Sequence, residues 1–335
     1  MNLLRKILFL IVPIYYLVTW LRNRLYDLGI KKSTSFGVPI ICVGNLSVGG
    51  TGKTPVIEYL IRLLKEDYKI ATLSRGYKRK TEGFQLANNT STSEDLGDEP
   101  FQFHNKFAPA VKVAVDGNRV NGITELLRLK HAPEIVLLDD AFQHRKVKAG
   151  FNILLTTYGN PFFKDMLLPT GDLREPQSGY KRANIIVVTK CPLSIGNTEK
   201  YEFLKYIKPT EKQHVFFSTI SYADKVISKT SEISLSSLAD FTLVTGIANA
   251  SPLVNFLHSK NLHFEHLNFK DHHEFSSDDI SKLASYKTIL TTEKDFMRLK
   301  QYKTLEGRLF YLPITVKIFE NEKFDSLVKN FVNLF

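Results

Sequence analysis

The chain has 335 residues, 43% hydrophobic and 24% charged, which marks an ordinary globular protein of about two domains, able to bury its cores without disulfides or metal. Its only two cysteines, Cys42 and Cys191, lack C-x-x-C spacing, which excludes a disulfide framework and a structural zinc site and fits a reducing, cytoplasmic setting. The net charge of +11 favours an anionic partner without choosing among nucleic acid, a phosphorylated substrate and an anionic membrane face.

In chain order, residues 7–20 (ILFLIVPIYYLVTW) are almost wholly apolar, with Arg5 and Lys6 before them and Arg22, Arg24, Lys31 and Lys32 after. The run is shorter than the roughly 20 residues a spanning helix needs, and Pro13 is expected to kink it. Residues 1–28 therefore read as an interfacial or shallowly inserted helix, held against anionic lipid by its basic flanks. A signal peptide is the competing reading, but no small-residue cleavage site follows. A helix packed on the protein's own core remains the plainest alternative.

Residues 38–42 predict a strand that runs into a glycine-rich loop, VGNLSVGGTGKT over residues 43–54, with helical periodicity after it at Ile57, Leu60, Ile61 and Leu64. Strand, loop and helix together place the backbone N–H groups of Ser47, Val48, Gly49, Gly50, Thr51 and Gly52 and the Lys53 ammonium around one volume suited to the polyphosphate of ATP. Thr54 would offer its hydroxyl to Mg²⁺. Ser47 stands where the usual pattern has its first glycine, and Gly49, Gly50 and Gly52 supply φ > 0 freedom in compensation.

A second strand is expected over residues 70–77, then a long polar surface loop over 78–98. Aliphatic runs at 110–115, 135–138, 153–156 and 185–189 alternate with helical patterns such as 120–129, which predicts a mostly parallel sheet covered on both faces. The expected first domain is 29–215, a P-loop NTPase-like α/β unit. Residues 214–220 read as an extended segment leaving it, 228–238 as a serine-rich connector, and 241–246, 288–291 and 309–312 as strands of a smaller second α/β domain over 216–335, with a hinge and a C-terminal return. A cleft is expected between the two.

Asp139 and Asp140 end an apolar run, the form of a strand that holds Mg²⁺ beside a phosphate loop, although paired aspartates also serve as turns or caps. Gln143 and His144 should sit near the same site. Asp98 could accept the proton of an acceptor hydroxyl, or N-cap a helix starting at Glu99 or Pro100, or do both. Arg174 could meet phosphate. His263, His266, His272 and His273 lack zinc-ligand spacing, so a histidine polarised by Asp271 or assisting a carboxylate is the better reading. Residues 291–295 either contact nucleotide or cap the next helix.

Taken together, Gly44-Asn45 with residues 47–55, Ser74-Arg75-Gly76-Tyr77, Gly97-Asp98-Glu99-Pro100, Asp139-Asp140 with Phe142-Gln143-His144, Leu173-Arg174-Glu175-Pro176 and Asp271-His272-His273 closely resemble the tetraacyldisaccharide 4'-kinases, the lipid A 4'-kinase family of Gram-negative bacteria. The resemblance implies transfer of the ATP γ-phosphoryl group to the 4'-hydroxyl of a tetraacylated glucosamine disaccharide 1-phosphate on the cytoplasmic face of the inner membrane. It implies Lys53 and Thr54 on phosphate and Mg²⁺, Thr54, Asp139, Asp140 and Glu175 in the metal region, and Asp98 as base with His272 as its partner. Arg75, Gln143, His144 and Arg174 would line the cleft. A membrane-positioning P-loop ATPase switch is the alternative, but it needs a lysine where this chain has Val48. No nucleic-acid recognition motif and no obligate protein partner are evident.

Overall fold

The computed structural model describes residues 8–271 and 273–335, so residues 1–7, with Arg5 and Lys6, and His272 lie outside the described residues. A 3₁₀ turn, Leu8–Ile11, leads into helix α1 (Val12–Asp27). Pro13 sits in the first turn of α1, where a missing N–H breaks no hydrogen bond, so it starts the helix rather than kinking it as expected.

There follow β1 (Ile40–Asn45), α2 (Lys53–Leu64), β2 (Ile70–Ser74), β3 (Gln85–Leu86), α3 (Ser93–Leu96), α4 (Asp98–Phe107), β4 (Val111–Val115), α5 (Arg119–Leu127), β5 (Ile135–Asp139), β6 (Phe151–Thr157), β7 (Ile185–Thr189), α6 (Asn197–Ile207) and β8 (His214–Tyr222). A second unit contains β9 (Lys225–Ile227), β10 (Glu232–Ser234), β11 (Phe241–Thr245), α7 (Ser251–Ser259), β12 (Phe264–Asn268), α8 (Ser277–Ala284), β13 (Ile289–Thr292), α9 (Glu293–Leu299) and β14 (Leu309–Leu312). The chain then returns to the first unit through β15 (Ile314–Ile318) and α10 (Asn321–Val332).

The first sheet has nine strands in the order β15-β8-β7-β6-β1-β5-β2-β4-β3, parallel except where β3 and β15 pair antiparallel at its two edges. All six residues of β1 are buried, as a central strand covered on both faces requires. Ile41 and Val43 enter one core with Val56, Ile57, Leu60, Ile61 and Leu64 of α2, while Ile40 and Cys42 enter the core on the opposite face. The second sheet has six strands, β10-β9-β14-β13-β11-β12, with β14, β13, β11 and β12 parallel and β9 and β10 added antiparallel at one edge.

Three expectations change. The polar stretch 78–98 carries the edge strand β3 and the helical turn α3, the latter closed by a capping box between Thr92 and Asp95. Residues 214–220, read as leaving the first domain, belong to a full strand of its sheet, β8, parallel to β7. The expected connector 228–238 contains β10, which pairs antiparallel with β9 at the edge of the second sheet. The second unit is thus an insertion between β8 and β15, with β15 and α10 as the C-terminal return. Leu96, Phe101 and Val115 of the first unit share one core with Val244, Phe296 and Met297 of the second.

Candidate active site

The loop after β1 opens at the carboxyl edge of the first sheet, where a parallel sheet gathers its ligands. Gly49 and Gly52 take φ of 100° and 86°, values that strain any residue with a Cβ, and Gly52 caps α2 so that Lys53 is its first residue. A Cβ built on Gly49 or Gly50 would point into open space, so both glycines keep a backbone face clear. Ser47 has no positive φ, so its side chain costs nothing in place of a glycine. It is braced by an isolated bridge to Leu173, and the Val48 N–H donates to the Asp172 carbonyl at 2.7 Å. Asn45 donates to Thr51 Oγ1 at 2.9 Å, and Thr189 Oγ1 and Lys190 Nζ donate to the Thr51 and Gly50 carbonyls at 2.8 and 2.5 Å. These bonds tie down the loop's carbonyls, and two of its amides are bonded as well, Val48 to the Asp172 carbonyl and Thr51 to the Gly49 carbonyl at 3.1 Å.

β5 lies beside β1 with Asp139 opposite Val43, which brings the carboxylate pair to the phosphate loop. Asp140 sits at φ 48° and lies 3.5 Å from Lys53 Nζ and 3.0 Å from Arg174 Nη1. Burial pushes the Asp140 carboxyl up, but Lys53 and Arg174 outweigh it and hold it below its ordinary value. Asp139 is pushed up to about 7, first by burial and then by the charge of Asp140. Its Oδ2 accepts from Ser74 at 3.2 Å, whereas Oδ1 is buried without a partner. A buried carboxylate oxygen unpaired beside a lysine is costly unless it serves a ligand. Thr54, half-buried on the first turn of α2, completes a donor set of the kind Mg²⁺ uses with phosphate and water. Among the described residues no group of three or more His, Cys, Asp or Glu could hold a metal ion.

Gln143 donates to the Asn45 carbonyl at 2.8 Å and to Glu175 Oε1 at 2.9 Å. Glu175, expected in the metal region, differs from that expectation: it is 1% exposed, and its oxygens are occupied by Gln143, Arg182 at 2.8 Å and Asn23 at 2.6 Å. Arg174, expected on phosphate, instead grips Asp140. Burial first, then the charges of Arg119 and Arg75, push His144 down to about 4, so its imidazole is neutral at pH 7.

Arg119, at the start of α5, was not singled out from the sequence. It is 2% exposed, Nη1 donates to the Asp116 carbonyl at 2.6 Å, and Nε and Nη2 are buried without partners. Its position after a strand, capped by Asn118 at a carboxyl sheet edge, was the available signal. Arg75 is exposed at the end of β2, close enough that its charge acts on His144.

Asp98 belongs to a different network. It is the first residue of α4 rather than its cap, since Gly97 holds the cap position, and it accepts from Arg298 of α9 at 2.9 and 2.5 Å. Arg298 also reaches Asp295 at 3.3 Å, and Asp295 accepts from the Gly246 N–H at 2.9 Å. Lys294 of α9 lies 3.3 Å from Glu99, and Lys106 of α4 lies 2.5 Å from Glu293. The capping reading of residues 291–295 is observed, with Thr292 accepting from the Asp295 N–H at 3.1 Å. His273 pairs with Asp279 at 3.0 Å, and His266 with Thr245 at 2.9 Å.

Helix α1 lies against the first network. Tyr15 Oη donates to the Arg174 carbonyl at 2.9 Å, Arg22 to the Gln143 carbonyl at 2.6 Å, and Arg145 to the Asn23 carbonyl at 2.7 Å. Val12 and Tyr15 pack on the core, so the alternative of a helix packed on the protein holds for this face. Its other side exposes Ile14, Leu17, Val18 and Leu21. No helix among the described residues is long and apolar enough to cross a membrane.

A family model described as LpxK, tetraacyldisaccharide-1-P 4'-kinase, matches residues 4–333. The chain is 52% identical to the tetraacyldisaccharide 4'-kinase of Flavobacterium johnsoniae, an alignment covering 99% of this chain and 98% of that protein. It is 44% identical to the protein of the same name from Bacteroides thetaiotaomicron, over 98% of this chain and 93% of the relative. LpxK from Aquifex aeolicus, whose crystal structure is described as an "apo" form in complex with ATP, superposes with a TM-score of 0.80 at 31% identity, covering 98% of this chain and all of that one. A phosphate loop beside paired aspartates, in a fold shared along its whole length with these enzymes, places the chain in the tetraacyldisaccharide-1-P 4'-kinase family, as a P-loop phosphotransferase.

Proposed function

We propose that the protein transfers the γ-phosphoryl group of ATP to the 4'-hydroxyl of a tetraacylated glucosamine disaccharide 1-phosphate at the cytoplasmic face of a membrane. The observation that carries this reading is the junction of Lys53 and Asp140, 3.5 Å apart, at the edge where the glycine loop and the strand end in Asp139 meet. The loop amides and Lys53 would hold the triphosphate. Thr54 and Asp139 would hold Mg²⁺, which would supply positive charge to offset that of the phosphate. Asp140, kept ionised by Lys53 and Arg174, orients both cations. The unpaired Arg119 nitrogens and exposed Arg75 supply further positive charge for a phosphate.

Asp98 would take the proton of the 4'-hydroxyl as its oxygen attacks phosphorus and the bond to the β-phosphate bridging oxygen breaks, leaving ADP. Arg298 holds Asp98 in place until the acceptor arrives, and His272 is its proposed partner from the other unit. Glu175 is read here as the anchor of Gln143 rather than a metal ligand. The exposed apolar side of α1, with Trp20 and Phe9 at its margins, would seat the protein on the lipid that carries the acceptor.

The direct test incubates the purified chain with γ-labelled ATP, Mg²⁺ and the disaccharide lipid in mixed micelles. Label on the lipid at the 4'-position is expected, and label only on released inorganic phosphate would overturn the reading.

A further inference from the structure

We infer that α1 is a positioning element of the phosphoryl-transfer site as well as a membrane-facing helix: Tyr15 and Asn23 fix the Arg174–Glu175 segment, which in turn fixes Asp140 and Gln143. The inference rests on the proposed function for its substrates and goes beyond it in making the seat of the helix a determinant of turnover.

The segment around Arg174 is part of the phosphate loop's own scaffold. The Arg174 N–H donates to the Leu46 carbonyl at 2.7 Å, Leu173 bridges Ser47, and the Asp172 carbonyl accepts from Val48. From this strap the Arg174 side chain reaches both oxygens of Asp140 at 3.0 and 3.1 Å, and Asp140 meets Lys53. Glu175 holds Gln143, which reaches back to the Asn45 carbonyl at the end of β1. Each end of this strap is tied to α1, Arg174 through Tyr15 Oη and Glu175 through Asn23 Nδ2.

Tyr15, Arg22 and Asn23 stand seven and eight residues apart, so they share one helical face, and all three donate to this segment or to Gln143. The opposite face is the apolar one. A helix that only needed an anchor would find it in packing, and Val12 and Tyr15 already pack on the core. Asn23 makes a narrower contribution: its Oδ1 is buried without a partner, so the amide is held for its donor alone, aimed at a carboxylate 1% exposed. Removing that donor leaves a buried carboxylate oxygen unpaired. The expected response is rotation of Glu175, which withdraws Gln143 from the end of β1 and loosens the arm that aims Arg174.

The test uses the full chain. Turnover, KM for ATP and lipid, flotation with phosphatidylethanolamine–phosphatidylglycerol vesicles and melting temperature are measured for wild type, Asn23→Ala, Asn23→Gln and Tyr15→Phe. Asn23→Ala should lower kcat about tenfold or more, with both KM values within about twofold and flotation unchanged. Asn23→Gln, which keeps an amide donor, should recover part of that loss, and Tyr15→Phe, which removes one oxygen atom, should lower kcat about threefold. Should Asn23→Ala fail to fold, Tyr15→Phe carries the same test. Wild-type kcat in both variants, or a loss confined to lipid KM and flotation, would make this face an anchor only and overturn the inference. A wild-type chain that fails to label the lipid would instead overturn the proposed function.

Discussion

The phosphate loop and Asp98 are held in place by different means. On the nucleotide side, the glycine loop, Lys53 and the aspartate pair are fixed by the register of adjacent parallel strands, β1 against β5 and β6, and by side chains of the same unit. On the side proposed for the acceptor, Asp98 is fixed by Arg298, a residue 200 positions away in the inserted unit, and the contact exists only because α4 packs on α9. The first arrangement is preorganised by the sheet. The second depends on how the two units meet, through the core that they share.

The difference can be broken at each side in turn. Lys53→Ala removes the ammonium that faces the triphosphate and should cut kcat/KM about a thousandfold or more, with weakened ATP affinity, in steady-state kinetics. Asp98→Ala should reduce kcat about a hundredfold while ATP affinity by titration stays near wild type, because Asp98 is held by Arg298 of the inserted unit. Arg298→Ala should reduce kcat about tenfold with ATP affinity again unchanged, since it removes a charge-assisted bond worth about 1.5–3 kcal/mol that aims the base. Loss of ATP binding in either acceptor-side variant would erase the distinction.

The smallest expected effect concerns stability. The Asp139 carboxyl, raised to about 7 in the folded chain, retains a proton that the unfolded chain has lost from about pH 4 upward. Stability contributed by this group therefore falls as pH rises through the window from 4 to 7. Asp139→Asn should abolish activity yet raise the melting temperature at pH 8, by at least about 1 kcal/mol in stability, with the gain vanishing near pH 4. An equal gain at both pH values would mean that the charge of Asp139 is not strained. That strain is what a site waiting for a cation would carry.

Local chemistry was readable where sequence neighbours do the work. The glycine loop, the strand leading to Asp139 and the helical stripe of α2 follow from spacing alone, and the alternating strands and helices predict the parallel sheet. What escaped was set by partners distant in sequence. Arg119 carries no motif, and its burial depends on α5 packing over the sheet. The two-residue strand β3 forms only because β4 offers it an edge. Residues 214–220 look like a departing segment because nothing nearby reveals that β15 will return to cover them. Pro13 reads as a kink until the helix start is known. Arg22, counted among the lipid-facing charges, is turned inward to the Gln143 carbonyl, a contact 121 residues away in sequence.

The central claim is that the loop from Leu46 to Gly52 and the Lys53 ammonium hold the triphosphate beside Asp139 and Asp140. A crystal structure of the chain with a non-hydrolysable ATP analogue and Mg²⁺ tests it most directly. The account predicts the β- and γ-phosphates on the loop amides, with Lys53 Nζ within hydrogen-bond reach and the cation between Thr54 and Asp139. An analogue bound in full elsewhere, with this loop empty or closed, would contradict it.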